Sequence, residues 1–172
     1  MWILLRQLTK GPSARRAVII EIADAMVAIL NDAVANQVLS QSFEATRYYV
    51  PKKDIKELGS VHVSVVPSTI ENELFILSRS IRRQYEYTVD VGIQRVVTSG
   101  KVTNQEFNEA ADPLMLLAEE ISDLFNTPSL EGYETAKATK ITNQPIYDPR
   151  HVDEKRVYTT VVSVTYVVVR DR

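Results

Sequence analysis

The stretch QYEYTVDVGIQRVVT, residues 84–98, restricts the fold more than any other part of the chain. Tyr85, Tyr87, Val89, Val91 and Ile93 alternate with Gln84, Glu86, Thr88, Asp90 and Gln94. A period of two places the first set on one face of a strand and the second set on the other. The aromatic and β-branched face requires a core, and the polar face requires water or a polar partner. The spacing therefore predicts a strand in the middle of an antiparallel or mixed sheet that is covered on one side.

The flanking segments supply the cover. Ser13 is the expected N-cap of a helix reaching about Ala35. Its stripe is Ile19, Ile22, Ala23, Met26, Ile29, Leu30 and Ala33, with Glu21, Asp24, Asn31 and Asp32 off it. A second helix is expected within residues 104–126, with core positions Leu114, Leu117, Ala118, Ile121, Leu124 and Phe125. Asp112-Pro113 reads as its capped start, proline being favoured at the first helical position, and residues 103–111 read as an earlier turn.

Further strands are expected at residues 43–50, ended by Pro51, and at residues 61–66, ended by Pro67, because proline cannot donate to a ladder. Val61, Val63 and Val65 share one face of the latter, and His62, Ser64 and Val66 the other. Residues 52–59 read as one helical turn or a tight loop that tucks in Ile55 and Leu58. The apolar run Leu74, Phe75, Ile76 and Leu77 reads as a short strand or as part of a projecting hairpin. Ser99-Gly100 marks a turn. A short strand at 136–143 and a long one at 156–170 complete the set. The end of the last strand carries apolar side chains on both faces at Tyr166, Val167, Val168 and Val169, so it is expected to be buried on both.

Two amphipathic helices and about five strands define an α+β class: a two-layer sandwich of a mixed or antiparallel sheet with both helices on one face. A chain of 172 residues is long enough for one sizeable core. Residues 17–172 are expected to form a single domain behind an arm at residues 1–16. That arm holds Arg6, Lys10, Arg15 and Arg16 and no acid, a charge of +4. The 16 basic and 22 acidic residues beyond it leave −6. A solvated N-terminus is the plainer reading of this asymmetry, and a basic partner-binding arm the sharper one. Trp2, Ile3, Leu4, Leu5 and Leu8 suit docking on the body or on a neighbouring subunit.

Chemistry is harder to find. There is no cysteine, which excludes disulfides, cysteine nucleophiles and thiolate metal sites. His62 and His151 lack metal-ligand spacing. Asp148, His151, Asp153 and Glu154 cluster in sequence, but a solvated charged loop explains them better than an ion site. No nucleotide-binding or hydrolase motif is present. Glu119 and Glu120 are expected to face water. No catalytic, cofactor-binding or metal residue is assigned, no cofactor is expected, and the chain is not expected to be an enzyme. It lacks the basic, aromatic-interleaved patch of a single-strand binder. No run approaches the ~18 apolar residues of a membrane span, and residues 2–5 are too short and wrongly flanked for a signal peptide.

Several segments together resemble a known family: IADAMVAILNDA (22–33), FEATRYYVPKKDIKEL (43–58), VHVSVVPST (61–69), YEYTVDVGIQ (85–94), DPLMLLAEEISDLF (112–125) and PIYDPRHVDEKRVYTTVVSVTYVVVR (145–170). They are similar to the tail-terminator-like proteins of tailed bacteriophages and prophages, with the tail-to-head joining proteins of the neck beside them. The resemblance spans residues 18–170. The arm at residues 1–16 departs from the family's short start.

The resemblance implies a structural virion protein, made in the host cytoplasm, that forms a hexameric homo-oligomeric ring on the tail tube. Its partners would be the tail tube protein and the head–tail connector or stopper. DNA would pass through the lumen without specific binding, and no membrane would be involved. A head-completion stopper or adaptor is the alternative within the class, and a small enzyme or a nucleic-acid binder using the basic arm lies outside it. Arg79, Arg82 and Arg83, beside the apolar run, are the candidate partner contact, against the plainer reading of a solvated hairpin end.

Overall fold

The computed structural model describes residues 16–50, 58–77, 80–97, 103–144, 146, 148, 152 and 156–171. The elements follow the chain as α1 (Val18–Ala35), β1 (Ala45–Arg47), β2 (His62–Leu77), β3 (Ser80–Val96), α2 (Asn104–Phe125), β4 (Lys137–Asn143) and β5 (Val157–Asp171). The five strands make one sheet in the order β1-β2-β3-β5-β4. β1 runs parallel to β2 and every other pairing is antiparallel, so the sheet is mixed. β3 is the central strand. The fold is α+β, as its alternation implies.

The register places the apolar sets of neighbouring strands side by side. Val63 pairs with Ile93, Val65 with Val91, and Val91 in turn with Val162. Val89 lies opposite Val164, and Tyr87 opposite Tyr166. All of these except the paired rings are fully buried, and Tyr87 and Tyr166 nearly so. The same cluster holds Ile22, Met26 and Leu30 of α1 with Leu114, Leu117, Ile121 and Phe125 of α2. Both helices therefore cover one face. α1 lies over β1, β2 and β3, and α2 over β5 and β4. Tyr85 and Tyr87, two residues apart on that face, stack with ring centroids 6.1 Å apart.

Several boundaries differ from the sequence expectation. α1 begins at Val18 with Ala17 at the N-cap position and no side-chain cap, so Ser13, outside the described residues, does not open it. The helix ends on Gln37 at φ 57°, a left-handed position that glycine more often fills. The strand expected at 43–50 forms only over Ala45–Arg47. Asn31 of α1 occupies the opposite edge of this short strand. Its amide accepts from the Ala45 N–H at 2.8 Å and donates to the Ala45 carbonyl at 3.1 Å. A helix side chain thus takes both backbone groups on the outer edge of β1. Pro51, Ile55 and the Ser99-Gly100 turn lie outside the described residues. Leu58 is buried as expected.

Pro67 does not end β2. The strand continues to Leu77 with a register shift between Pro67 and Thr69. The β1 pairing ends opposite Val65, so at Pro67 one side of β2 has no strand to receive a donor. An edge position and a bulge are the two settings in which a ladder tolerates proline. Leu74–Leu77 pairs with the start of β3, which makes β2 and β3 one long hairpin.

Pro113 does not start α2. Thr103 does, through a capping box in which its hydroxyl accepts from the Glu106 N–H while the Glu106 carboxylate accepts from the Thr103 N–H. Ala111 upstream of the proline and Leu114 downstream are both buried, so packing on both sides carries the helix through the one missing donor.

β5 is buried on one face only. Tyr166 and Val168 are in the core, Val167 is half-buried, and Val169 is 53% exposed. Its position between β3 and β4 is interior, but the second face has no cover there among the described residues.

Candidate assembly surface

The face of the sheet away from the helices is polar, and its residues meet in cross-strand pairs. Ser163 donates to the Asp90 carboxylate at 2.6 Å. The hydroxyls of Thr88 and Thr165 lie 3.0 Å apart, and the Gln94 amide donates to Thr159 at 3.4 Å. Each pair sits directly opposite in the β3–β5 register, where side chains are close enough to bond. Gly92 sits within this face opposite Ser64. A Cβ at Gly92 would stand 2.9 Å from the Ser64 Oγ, so the absent side chain makes room for a buried hydroxyl.

The β2–β3 hairpin extends this surface beyond the body. Residues 68–73 are all exposed, including Ile70 at 57%, although Thr69 to Glu73 remain paired with β3. β1 flanks β2 only at Val63–Val65. Residues 67–77 of β2 therefore present an outer strand edge with no strand against it among the described residues. β4 is the other terminal strand of the sheet. Its register shifts between Ala138 and Lys140, and the Thr139 hydroxyl donates to the Thr165 carbonyl at 3.2 Å.

Arg82 and Arg83 are placed by backbone register near the end of the hairpin, where Arg82 faces Phe75 on β2 and Asp171 on β5. Arg79 lies outside the described residues. The structure thus brings two of the three arginine positions to the distal end of the hairpin.

One acidic residue left off the α1 stripe, Asp24, has structural partners. Asp24 binds Arg47 at 2.7 Å and Arg16 at 2.9 Å, and its hydrogen bond with Arg47 raises the guanidinium pKa. Glu120, expected to face water, accepts from both the N–H and the hydroxyl of Ser40 at 2.9 and 2.8 Å, tying the segment after α1 to α2. These tethers were not readable from periodicity, which reports burial and not pairing.

The described surface includes clefts beside both helices. One of about 660 Å³ lies beside α1 and is bordered by Glu21, Asp24, Asp32 and Glu131 with Arg16. One of about 400 Å³ runs between the end of α2 and β4. The second is lined by Ser122, Asp123, Thr139 and Lys140, and the Ser122 hydroxyl donates to the Ala118 carbonyl at 2.8 Å. Among the described residues no group of three His, Cys, Asp or Glu side chains could hold a metal ion. Of the acidic cluster near His151, only Asp148 is described. Two tyrosines are shifted by burial: the Tyr158 hydroxyl is pushed up to about 12, and Tyr166 is raised as well. Both point into the helix-covered core, so their shifts report packing. Among the described residues, no helix is long and apolar enough to cross a membrane.

No protein-family model and no curated protein matches the chain. Among solved structures it aligns with one described as the sheath/tube terminator, in the extended state, of an extracellular contractile injection system termed PVC. The identity is 16% and the TM-score 0.40, over 92% of this chain and 58% of that one. The chain therefore spans less than two thirds of that neighbour's length. A likeness at that level carries no inference about role, and the functional reading stands on the chain's own residues.

Proposed function

We propose that this chain is a structural protein of a tailed-bacteriophage virion: a tail terminator that forms a hexameric ring on the end of the tail tube and joins it to the head connector. The segments that resemble the tail-terminator-like family span the folded body, and the order of elements agrees with them. The observation that carries the reading is the division of the sheet. One face is sealed by both helices. The other is a polar surface of paired side chains that continues onto an exposed hairpin, which is surface suited to assembly and not to enclosing a small substrate. Arg79, Arg82 and Arg83 are the proposed contact with the tail tube or connector, and residues 1–16 a separate arm. DNA passes through the lumen unbound, repelled by the acidic body.

Negative-stain electron microscopy of the purified chain, alone and mixed with tail tubes or with heads, tests this. Six-membered rings with a central channel that attach to tubes are expected. Attachment to heads alone would replace the terminator with a stopper or adaptor. No ring and no attachment to either would overturn the reading. Charge reversal at the three arginines should abolish attachment while leaving the fold intact by circular dichroism. Attachment that survives removes those residues from the interface.

A further inference from the structure

Three strand edges could receive another chain, and they differ. The β1 edge is closed by the Asn31 amide on Ala45. The outer edge of β2 over residues 67–77 and the outer edge of β4 have no strand against them among the described residues. These two edges carry opposite charges. Glu71 and Glu73 stand on β2, Lys137 and Lys140 on β4, and all four are exposed. None of the four makes an ion pair among the described residues.

The register places them on one face. Glu71 pairs with Glu86, Glu86 with Val167, and Val167 with Lys137, which makes one row across four strands. The next row runs Thr69, Thr88, Thr165 and Lys140. Lys137 and Lys140 are three residues apart, so a regular strand would send them to opposite faces. The shift at Thr139 returns both to the face that carries Thr165 and Val167, away from the helices. Glu71 and Glu73, two residues apart, share that face through Glu86 and Gln84.

We propose that the β4 edge of one copy pairs with the β2 edge of the next, extending the sheet from subunit to subunit, with Lys137 opposite Glu71, Glu73 diagonal to Lys137 and Lys140 diagonal to Glu71. Alternating antiparallel pairings make β2 and β5 run one way and β3 and β4 the other. A neighbour related by rotation about an axis along the strands therefore presents its β2 antiparallel to β4, with its helices on the same side. The row that ends at Lys137 begins at Glu71, so the opposite charges meet at the same level. Two β4 edges would bring lysine against lysine, and two β2 edges glutamate against glutamate, and like charges directly opposite disfavour both. The contact is head-to-tail, and repeated with closure it generates a ring. It rests on the ring reading only for that closure.

The absence of cysteine from the chain gives a clean test. Glu71→Cys and Lys137→Cys are made singly and together in the full chain, then oxidised at high protein concentration and resolved on non-reducing gels. Circular dichroism checks the fold, and sedimentation the size before oxidation. The expected result is a ladder of cross-linked multimers from the double variant, a single dimer band from an equal mixture of the two single variants, and no dimer from either alone. In a second arm, Lys137→Glu with Lys140→Glu loses the assembly, and adding Glu71→Lys with Glu73→Lys restores it.

Cross-linking of one single variant with itself would mean a two-fold contact and overturn the proposal. So would a double variant that stays monomeric. Rings by microscopy without the Glu71–Lys137 cross-link would overturn the edge contact and leave the ring reading standing. Cross-linked open filaments that never close would uphold the edge contact and count against the ring.

Discussion

The two faces of β3 and β5 are built from alternate residues of the same strands, yet they are held by different physics. On the helix side, Val89, Val91, Ile93, Val162 and Val164 are fully buried against α1 and α2. On the other side, Asp90, Thr88 and Gln94 meet Ser163, Thr165 and Thr159 in discrete hydrogen-bonded pairs that stay partly in contact with solvent. Apolar burial is non-directional and cumulative. The polar pairs are directional and contribute little net stability each, because water competes for the same groups. The covered face fixes the fold, and the open face leaves a surface of defined pattern on which another subunit can be seated.

Truncation on the covered face should have the largest effect. Leu117→Ala removes a fully buried side chain from the α2 side of the core and should cost about 2–5 kcal/mol in urea or thermal unfolding. A cost below that of an open-face truncation would break the distinction between the faces.

The two core tyrosines sharpen it from within. The Tyr158 hydroxyl reaches the Ile146 carbonyl and the Met115 sulfur, whereas the buried Tyr166 hydroxyl has no hydrogen-bond partner among the described residues. Tyr158→Phe should therefore destabilise by about 1 kcal/mol, and Tyr166→Phe should stabilise by a similar amount, since it relieves an unmet polar group. Alkali offers an independent check. Burial raises the Tyr158 hydroxyl from 10.0 to about 12, so the unfolded chain ionises first. Stability should be full below pH 10 and fall as the pH rises toward 12, and Tyr158→Phe should flatten part of that decline in melts recorded across the range.

On the open face, Ser163→Ala deletes one bond to a carboxylate that water can replace. It should cost about 0.5 kcal/mol in the same melts. The smallest expected effect lies outside the sheet. The Thr103 N–H and hydroxyl hold the Glu106 carboxyl below its ordinary 4.5. Its contribution is present above pH 4.5 and disappears as the pH falls through the lowered value. Glu106→Gln should remove that acid-side slope from a plot of melting temperature against pH.

Much of this was legible in the residues. The alternation of residues 84–94 marked β3 as central and one-sided, and the stripes Ile22–Met26–Leu30 and Leu114–Leu117–Ile121 marked two helices for one face. The misreadings have a common cause. Taken alone, Pro67 reads as the end of a strand and Pro113 as the start of a helix because a proline lacks a donor, but whether that donor is needed depends on what surrounds it. Val169 reads as buried because it is valine, but burial depends on cover, and it is exposed. For the candidate surface, Arg82 and Arg83 were legible as a cluster beside an apolar run, whereas Glu71, Glu73, Lys137 and Lys140 carried no local signal. They gain meaning only as neighbours in one row.

The sequence by itself determined which segments are strands and helices and which side of each is apolar, because backbone periodicity is local and a few residues suffice to display it. Only the tertiary structure decided which edges stay open, that Asn31 closes the β1 edge, that the shift at Thr139 turns both lysines to one face, and that Glu71 and Lys137 end the same row. Those facts depend on which strands become neighbours and in what register, and long-range pairing is fixed by the packing of the whole chain.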